Sequence, residues 1–277
     1  MKYAESDVGP GSLAYAEAGA GGVPLLLLHG FTGAKEDFTD WLDALSDCGW
    51  HAVAPDLRGH GDSHQPEGES EYSLATFAAD ALALADDLGW DRFVLVGHSM
   101  GGMIAQHLAL AEPDRLMGLV LMDTGHGAVE GVDPDLVALG IEVARTQGLD
   151  VIADLSADRE SPLATEADRR VRAERPGYAE FGDRKFRACS AAMYAAMAIE
   201  LFEQPDRLAA LSALAVPTLV IVGEQDEPFI GPSQRMASAI PGARLATVAD
   251  AGHSPQFEAP DAWWEALDAF LSELRAA

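Results

Sequence analysis

A serine lies between two glycines in the segment Gly97-His98-Ser99-Met100-Gly101. This segment directly follows the apolar run Phe93-Val94-Leu95-Val96 and precedes a helical pattern, which is the setting of a sharp strand-to-helix turn. Glycines suit such a turn, because a Cβ at the neighbouring positions would collide with the adjoining strand or helix. The pattern therefore predicts a nucleophile at Ser99, whose hydroxyl becomes reactive once a base removes its proton.

Two further residues have the types that a reactive serine needs. His253 follows the last predicted strand, and Asp226 follows the strand before it. A histidine can accept the serine proton, and a carboxylate can hold that histidine in the correct tautomer. Because parallel strands have their carboxyl ends at one edge of a sheet, we expect Ser99, Asp226 and His253 to lie together. Asp123 ends another predicted strand at this edge, so it stays open as an alternative acid.

The predicted secondary structure places these residues where strands end. Short apolar runs alternate with longer helical patterns, which is typical of a mostly parallel sheet with helices on both faces. Apolar spacings of three and four predict helices at about 38–48 and 74–88, from just after Ser99 to before Pro113, and from about Pro260 onward. The apolar runs predict strands at residues 12–17, 25–28, 51–55, 93–96, 116–122, 218–222 and 244–248.

The strand pattern is interrupted between residues 125 and 214, where helical patterns such as 191–202 take its place. We expect this interval to be a helical cap inserted after the sixth strand. Residues 1–277 would then form a single domain, which is common for an open α/β sheet of this length. Apolar residues of the interval, including Met193, Met197 and Phe202, either favour a small and mostly apolar substrate or pack the interval onto the rest of the protein.

The order Ser, Asp, His, together with the Gly-x-Ser-x-Gly pattern, resembles the α/β-hydrolase fold superfamily over nearly the whole chain. The segments Leu27-Leu28-His29-Gly30-Phe31-Thr32-Gly33 and Asp56-Leu57-Arg58-Gly59-His60-Gly61-Asp62-Ser63 resemble those of single-domain serine esterases, lactonases, cofactor-free haloperoxidases and carbon-carbon bond hydrolases. The resemblance implies an α/β-hydrolase fold, with a mostly parallel eight-stranded sheet flanked by helices. It also implies an oxyanion hole made by the backbone amides of Phe31 and Met100, and no cofactor.

Composition narrows the range of partners and locations. The chain has 18 Lys and Arg against 45 Asp and Glu, a net charge of −27 without a basic stripe, which argues against nucleic acid. The absence of a long apolar run predicts a soluble, cytoplasmic protein that does not bind membranes. Cys48 and Cys189 are isolated, which favours free thiols, and no spacing suggests a metal site. The oligomeric state is left open.

These patterns, together with the resemblance, predict a serine hydrolase that cleaves carboxylic esters or related acyl substrates through an acyl-enzyme intermediate. Haloalkane dehalogenases and epoxide hydrolases are excluded, because they have an aspartate where Ser99 stands. One alternative keeps the same three residues for a specialist reaction: carbon-carbon bond hydrolysis, lactone hydrolysis, perhydrolysis or a lyase step related to menaquinone synthesis. A second alternative is a ligand sensor that retains the three residues but turns over slowly.

Overall fold

The computed structural model describes residues 1–9, 11–156 and 163–276. A single sheet forms the centre of the fold. Its strands are β1 (Lys2–Asp7), β2 (Ser12–Ala18), β3 (Val23–Leu28), β4 (Trp50–Pro55), β5 (Phe93–His98), β6 (Leu116–Met122), β7 (Thr218–Gly223) and β8 (Arg244–Val248). They lie in the order β1-β2-β4-β3-β5-β6-β7-β8. The β1-β2 and β2-β4 pairs are antiparallel and the other pairs are parallel.

This sheet confirms the predicted fold class. The seven predicted strands agree with β2 to β8 to within two residues at either end. The first strand, β1, was not among the predicted runs. Its sequence KYAESD is largely polar and mostly exposed, because β1 is an edge strand paired only with β2. An edge strand of this kind lacks the continuous apolar run by which buried parallel strands are recognised.

Helices cover both faces of the sheet. Along β3, Leu25 and Leu27 belong to one apolar core, and Leu26 and Leu28 belong to the other. This alternation follows from the two-residue period of a strand. The helices are α1 (Thr39–Asp47), α2 (Leu74–Asp87), α3 (Met100–Ala111), α4 (Pro134–Gln147), α5 (Leu149–Ser156), α6 (Glu166–Glu174), α7 (Tyr178–Arg187), α8 (Ala191–Glu203), α9 (Leu208–Leu211), α10 (Glu227–Ala239), α11 (Pro255–Glu258) and α12 (Pro260–Ala276).

The two cores assign the helices to faces. Buried residues of α1 and α12, such as Leu42 and Trp263, pack in the core that contains Leu25. Buried residues of α2 and α3, such as Phe77 and Ile104, pack in the core that contains Leu26. Four of the predicted helices correspond to α1, α2, α3 and α12, and the helical pattern at 191–202 corresponds to α8. Burial of the sheet on both faces leaves its carboxyl edge as the place where polar side chains can meet.

Helices α4 to α9 lie between β6 and β7, in the interval predicted to be helical. Residues 157–162 of that interval lie outside the described residues. Met193, Met197 and Leu201 of α8 are buried in the same core as α2 and α3, so this helix packs onto the body of the protein. Across the described ranges, no helix combines the length and the apolar composition needed to span a bilayer.

Candidate active site

Ser99 lies in the tight turn between β5 and α3. Its backbone has φ 55° and ψ −118°, a conformation that non-glycine residues rarely adopt and that is held here by its surroundings. The Ser99 amide donates to the Met122 carbonyl at 2.8 Å, and the Thr124 hydroxyl donates to the Ser99 carbonyl at 2.7 Å. Met122 is the last residue of β6 and Thr124 lies just after it, so the neighbouring strand and the loop that follows it fix the serine.

The glycines around Ser99 are required by close backbone contacts. A Cβ on Gly97 would lie 2.3 Å from the Gly101 carbonyl oxygen. A Cβ on Gly101 would lie 2.3 Å from the Leu28 carbonyl oxygen, at the end of β3. These distances are far below van der Waals contact, and backbone atoms cannot move aside as a flexible side chain can. The structure thus gives the physical reason for the glycine spacing seen in the sequence.

The structure brings the three predicted residues together. His253 Nε2 lies 3.0 Å from Ser99 Oγ, and His253 Nδ1 lies 2.9 Å from Asp226 Oδ2. Asp226 is 1% exposed, at the end of β7. A carboxylate at Nδ1 favours the tautomer that carries its proton there, which leaves Nε2 free to accept the serine proton. The arrangement can therefore deprotonate a serine hydroxyl.

The charges around His253 favour its protonated form. Burial by itself would lower the pKa of His253, but the adjacent Asp226 carboxylate outweighs burial and raises the pKa above its ordinary value. Glu258 acts in the same direction as Asp226, and Lys185 acts against it. The imidazolium that forms when the serine loses its proton is thus stabilised by two nearby carboxylates.

Two backbone amides are available near the serine. Met100 is the first residue of α3, where an N–H has no acceptor within the helix. Among the described residues, neither the Phe31 amide nor the Met100 amide has a backbone acceptor. The loop of Phe31 is held by His29, which accepts from the Leu57 amide at 3.0 Å and contacts the Gly30 carbonyl at 2.8 Å. Free amides at a helix N-terminus favour a negatively charged oxygen.

Comparison with known proteins identifies the family. A family model described as alpha/beta hydrolase fold matches residues 23–260. The chain belongs to this family. A protein of Bacillus subtilis (strain 168), named putative 2-succinyl-6-hydroxy-2,4-cyclohexadiene-1-carboxylate synthase, is 28% identical over 284 residues, with 99% of this chain and 96% of that protein covered.

Solved structures extend the similarity of this alpha/beta hydrolase to its whole fold. The enol-lactonase from Burkholderia xenovorans LB400 has a TM-score of 0.83 at 27% identity, with 97% of this chain and 100% of that one covered. A thermophilic esterase from Thermogutta terrifontis has a TM-score of 0.82 at 30% identity, with 99% of both chains covered. Several curated relatives are named epoxide hydrolases, and the chain covers 31% to 39% of their length.

Asp123, the alternative acid, lies elsewhere in the site of this alpha/beta hydrolase. It follows β6 and is fully buried, and its Oδ1 accepts from the Gly223 amide at 2.8 Å. Its carboxyl lies against that of Asp226, whereas the contact with the His253 ring is made by Asp226. Burial and the Asp226 charge raise the pKa of Asp123 well above its ordinary value. The structure therefore separates the two candidates by position.

Sequence reasoning missed two residues that hold the His253 loop. His98 Nε2 lies 2.6 Å from the His253 carbonyl oxygen, and Glu258 Oε2 accepts from the amides of Gly252 and Ser254 at 2.6 and 3.3 Å. Burial lowers the pKa of His98 to about 3, so its ring is neutral and donates from Nε2. His98 is next to Ser99 in the sequence, and Glu258 lies in the helix that follows His253, but only the folded loop reveals their contacts.

The remaining motif residues have contacts within the protein. Arg58 donates twice to Asp80, at 2.6 and 2.8 Å, and both side chains are buried. His60 is fully buried beside His29, with ring centroids 4.7 Å apart. These contacts hold the segment after β4 within the core of the protein. In the described part of the chain, no group of three or more His, Cys, Asp or Glu residues could hold a metal ion.

Proposed function

We propose that this protein is a serine hydrolase that cleaves carboxylic esters or related acyl substrates, with Ser99 as nucleophile, His253 as base and Asp226 as the orienting acid. The observation that carries the proposal is the continuous chain of contacts from Ser99 Oγ through the His253 ring to Asp226 Oδ2, at 3.0 and 2.9 Å. The distances are those of hydrogen bonds, and a catalytic base must lie within such reach of its proton.

The reaction follows from the positions of these groups. His253 Nε2 takes the Ser99 proton while Oγ attacks the substrate carbonyl, and the amides of Phe31 and Met100 donate to the resulting oxyanion. The protonated His253 then gives its proton to the leaving alcohol, which produces an acyl-enzyme on Ser99. A water molecule, deprotonated by His253, releases the acid and restores the serine.

Apolar contacts beside the oxyanion loop support a mostly apolar small-molecule substrate. The Phe31 ring stacks on Tyr194 of α8, with centroids 5.1 Å apart. Phe31 also packs against the cluster of Ile141, Ala195 and Ala198, which come from α4 and α8. Helices of the inserted interval thereby meet the loop that would bind the oxyanion. We propose that residues 125–214 act as a cap that shapes the acyl or alcohol pocket.

Labelling with a fluorophosphonate tests the nucleophile directly, because this reagent reacts with an activated serine hydroxyl. The wild-type protein is expected to be labelled, with the modified peptide containing Ser99. Ser99→Ala is expected to abolish labelling and to lower kcat on p-nitrophenyl esters by about 10⁴- to 10⁶-fold. Ser238→Ala is the matched control, because Ser238 is exposed on α10. Labelling that persists in Ser99→Ala would refute the proposed nucleophile.

A second candidate keeps the same nucleophile but changes the substrate. Similarity over nearly the full chain to an enol-lactonase and to a protein named as a synthase favours lactone hydrolysis or a related specialist reaction. A panel of p-nitrophenyl esters and small lactones separates the two proposals. Rapid turnover of short acyl esters supports the general esterase. Labelling of Ser99 with turnover of lactones alone supports the specialist.

A further inference from the structure

The carboxyl end of β6 contains a buried acid that the proposed mechanism does not use. The β6 strand lies between β5, which precedes Ser99, and β7, which precedes Asp226. Asp123 follows this central strand, and its amide donates to the Ile221 carbonyl of β7 at 2.9 Å. Its side chain is fully buried, at 0% exposure. Asp123 therefore occupies the space directly beside the acid of the site.

The two oxygens of Asp123 have different surroundings. Oδ1 accepts from the Gly223 amide at 2.8 Å. Oδ2 is buried, and no donor within the described residues reaches it. The Asp226 carboxyl packs against this side chain, and Glu258 adds a further negative charge nearby. Two ionised carboxylates in contact, away from water and without a donor between them, would be strongly destabilising.

A single proton on Asp123 removes this conflict. A protonated Oδ2 becomes a donor, and Asp226 is the adjacent acceptor. Asp226 is the member of the pair that keeps the charge, because its Oδ2 lies 2.9 Å from the His253 ring nitrogen. Asp123 faces no such cation, since its only donor among the described residues is one backbone amide. The contacts of the two carboxyls therefore assign the negative charge to Asp226 and the proton to Asp123.

We propose that Asp123 holds a proton on Oδ2 at neutral pH and donates a hydrogen bond from it to Asp226, which positions the Asp226 carboxylate for its contact with His253. Asp123 acts through Asp226, so it is a positioning residue. The role in turnover rests on the proposed function, because it requires His253 to act as the base. The protonation itself does not depend on any reaction.

The choice of variants follows from the backbone at this position. Asp123 has φ 46°, which glycine and asparagine adopt more readily than other residues. Asp123→Gly removes the side chain without backbone strain. It leaves the Gly223 amide without its acceptor, and Asp226 keeps its contact with His253 but loses the one with Asp123. Asp123→Asn presents an NH₂ group to Asp226 and a carbonyl oxygen to Gly223, so it reproduces both contacts of a protonated carboxyl.

Kinetics on p-nitrophenyl esters give the first test. Asp123→Gly is expected to lower kcat by about 10- to 100-fold, and Asp123→Asn is expected to restore most of that loss. The acidic limb of the kcat/KM profile is expected to move to higher pH in Asp123→Gly and to stay in place in Asp123→Asn. The pH shift is expected because the Asp226 carboxylate, without a hydrogen bond from Asp123, holds the His253 proton more tightly. The other titratable groups that face His253, namely Glu258, Lys185 and His98, are the same in both variants.

Other outcomes contradict the proposal. Equal losses in Asp123→Asn and Asp123→Gly mean that the working enzyme needs an ionised Asp123. An unchanged kcat in Asp123→Gly means that Asp123 positions nothing. The matched control is Asp114→Leu, at the opposite end of β6, where the side chain is exposed and a normal rate is expected.

An infrared difference spectrum gives a test that is independent of substrate and of the folding of the glycine variant. At neutral pH, the wild-type spectrum minus that of Asp123→Asn is expected to contain the C=O band of a buried, protonated carboxyl. The difference is needed because burial also raises the pKa of Glu258. Absence of the band overturns the proposal. If the band is present but esters and lactones are not hydrolysed, the proposed function fails while the assignment of the proton stands.

Discussion

His253 is oriented by contacts from three directions. Asp226 contacts its Nδ1, Ser99 contacts its Nε2, and His98 donates to its backbone carbonyl. Glu258 binds the amides on both sides of it. The contacts of Asp226 and Ser99 hold the orientation of the ring, and the contacts of His98 and Glu258 hold the path of the loop. At the scale of residues, the reactivity proposed for Ser99 therefore depends on side chains that do not touch Ser99.

Replacement of Asp226 tests the orienting role. Asp226→Asn is expected to lower kcat by about 10⁴-fold, because an amide at this position favours the wrong imidazole tautomer. The flanking Glu227 is exposed, and Glu227→Gln is the matched control, with wild-type turnover expected. Steady-state kinetics on a p-nitrophenyl ester measure both. A smaller loss in Asp226→Asn than in Asp123→Asn would show that the acid has been misassigned.

The pH dependence of turnover tests the charge environment of His253. In the proposed mechanism His253 must be neutral to accept the serine proton, so activity is expected to fall when His253 is protonated. Because Asp226 raises the pKa of His253, the acidic limb of kcat/KM is expected above the ordinary histidine value of about 6.5. In Asp226→Asn the residual activity is expected to show this limb at lower pH. A limb that stays in place would contradict the electrostatic role of Asp226.

At the scale of elements, the sharp turn before α3 sets the strictest requirement on the sequence. Gly101→Ala would place a Cβ 2.3 Å from the Leu28 carbonyl oxygen. We expect the variant to lose several kcal/mol of unfolding free energy, as backbone clashes in a packed core do. Urea denaturation followed by circular dichroism measures the change.

A second glycine provides a control in which replacement by alanine is expected to stabilise the protein. Gly182 lies inside α7, and a Cβ there would meet nothing within 4 Å. Gly182→Ala is therefore expected to stabilise the protein by about 0.4 to 1 kcal/mol, because alanine restricts the unfolded chain. Destabilisation by Gly182→Ala, or tolerance of Gly101→Ala, would contradict the packing described for these positions.

The sequence predicts those elements whose signals are local. Mostly apolar runs marked the buried strands β3 to β7, and Gly-x-Ser-x-Gly marked the turn, because both patterns reflect burial and backbone geometry at neighbouring positions. The polar edge strand β1 carried no such signal. The contacts of His98 and Glu258 with the His253 loop join residues through a particular loop path, so spacing alone could not give them. The catalytic assignment of Ser99, Asp226 and His253 stays a prediction that the geometry supports.

At the scale of the whole molecule, charge opposes the compact state. The chain has 45 acidic and 18 basic residues, and its net negative charge produces repulsion between carboxylates across the surface. Raising NaCl from about 0.01 to 0.15 M shortens the screening length from about 30 to 8 Å. We expect the melting temperature to rise by about 2 to 4 °C, which corresponds to about 1 kcal/mol. Calorimetry measures the melting temperature, and sucrose at equal osmolality is the uncharged control. A fall in the melting temperature on addition of NaCl would mean that attractive ion pairs dominate.

The division of the chain between sheet and inserted helices has a practical consequence. Ser99, Asp226 and His253 follow β5, β7 and β8, and none of them comes from α4 to α9. The proposed role of residues 125–214 in shaping the pocket implies that a gene library confined to these codons changes substrate preference without altering the strands that precede Ser99, Asp226 and His253. Residues of this interval that contact the rest of the protein should be kept unchanged in such a library. One example is Ser190, whose amide donates to the Gly59 carbonyl at 2.8 Å.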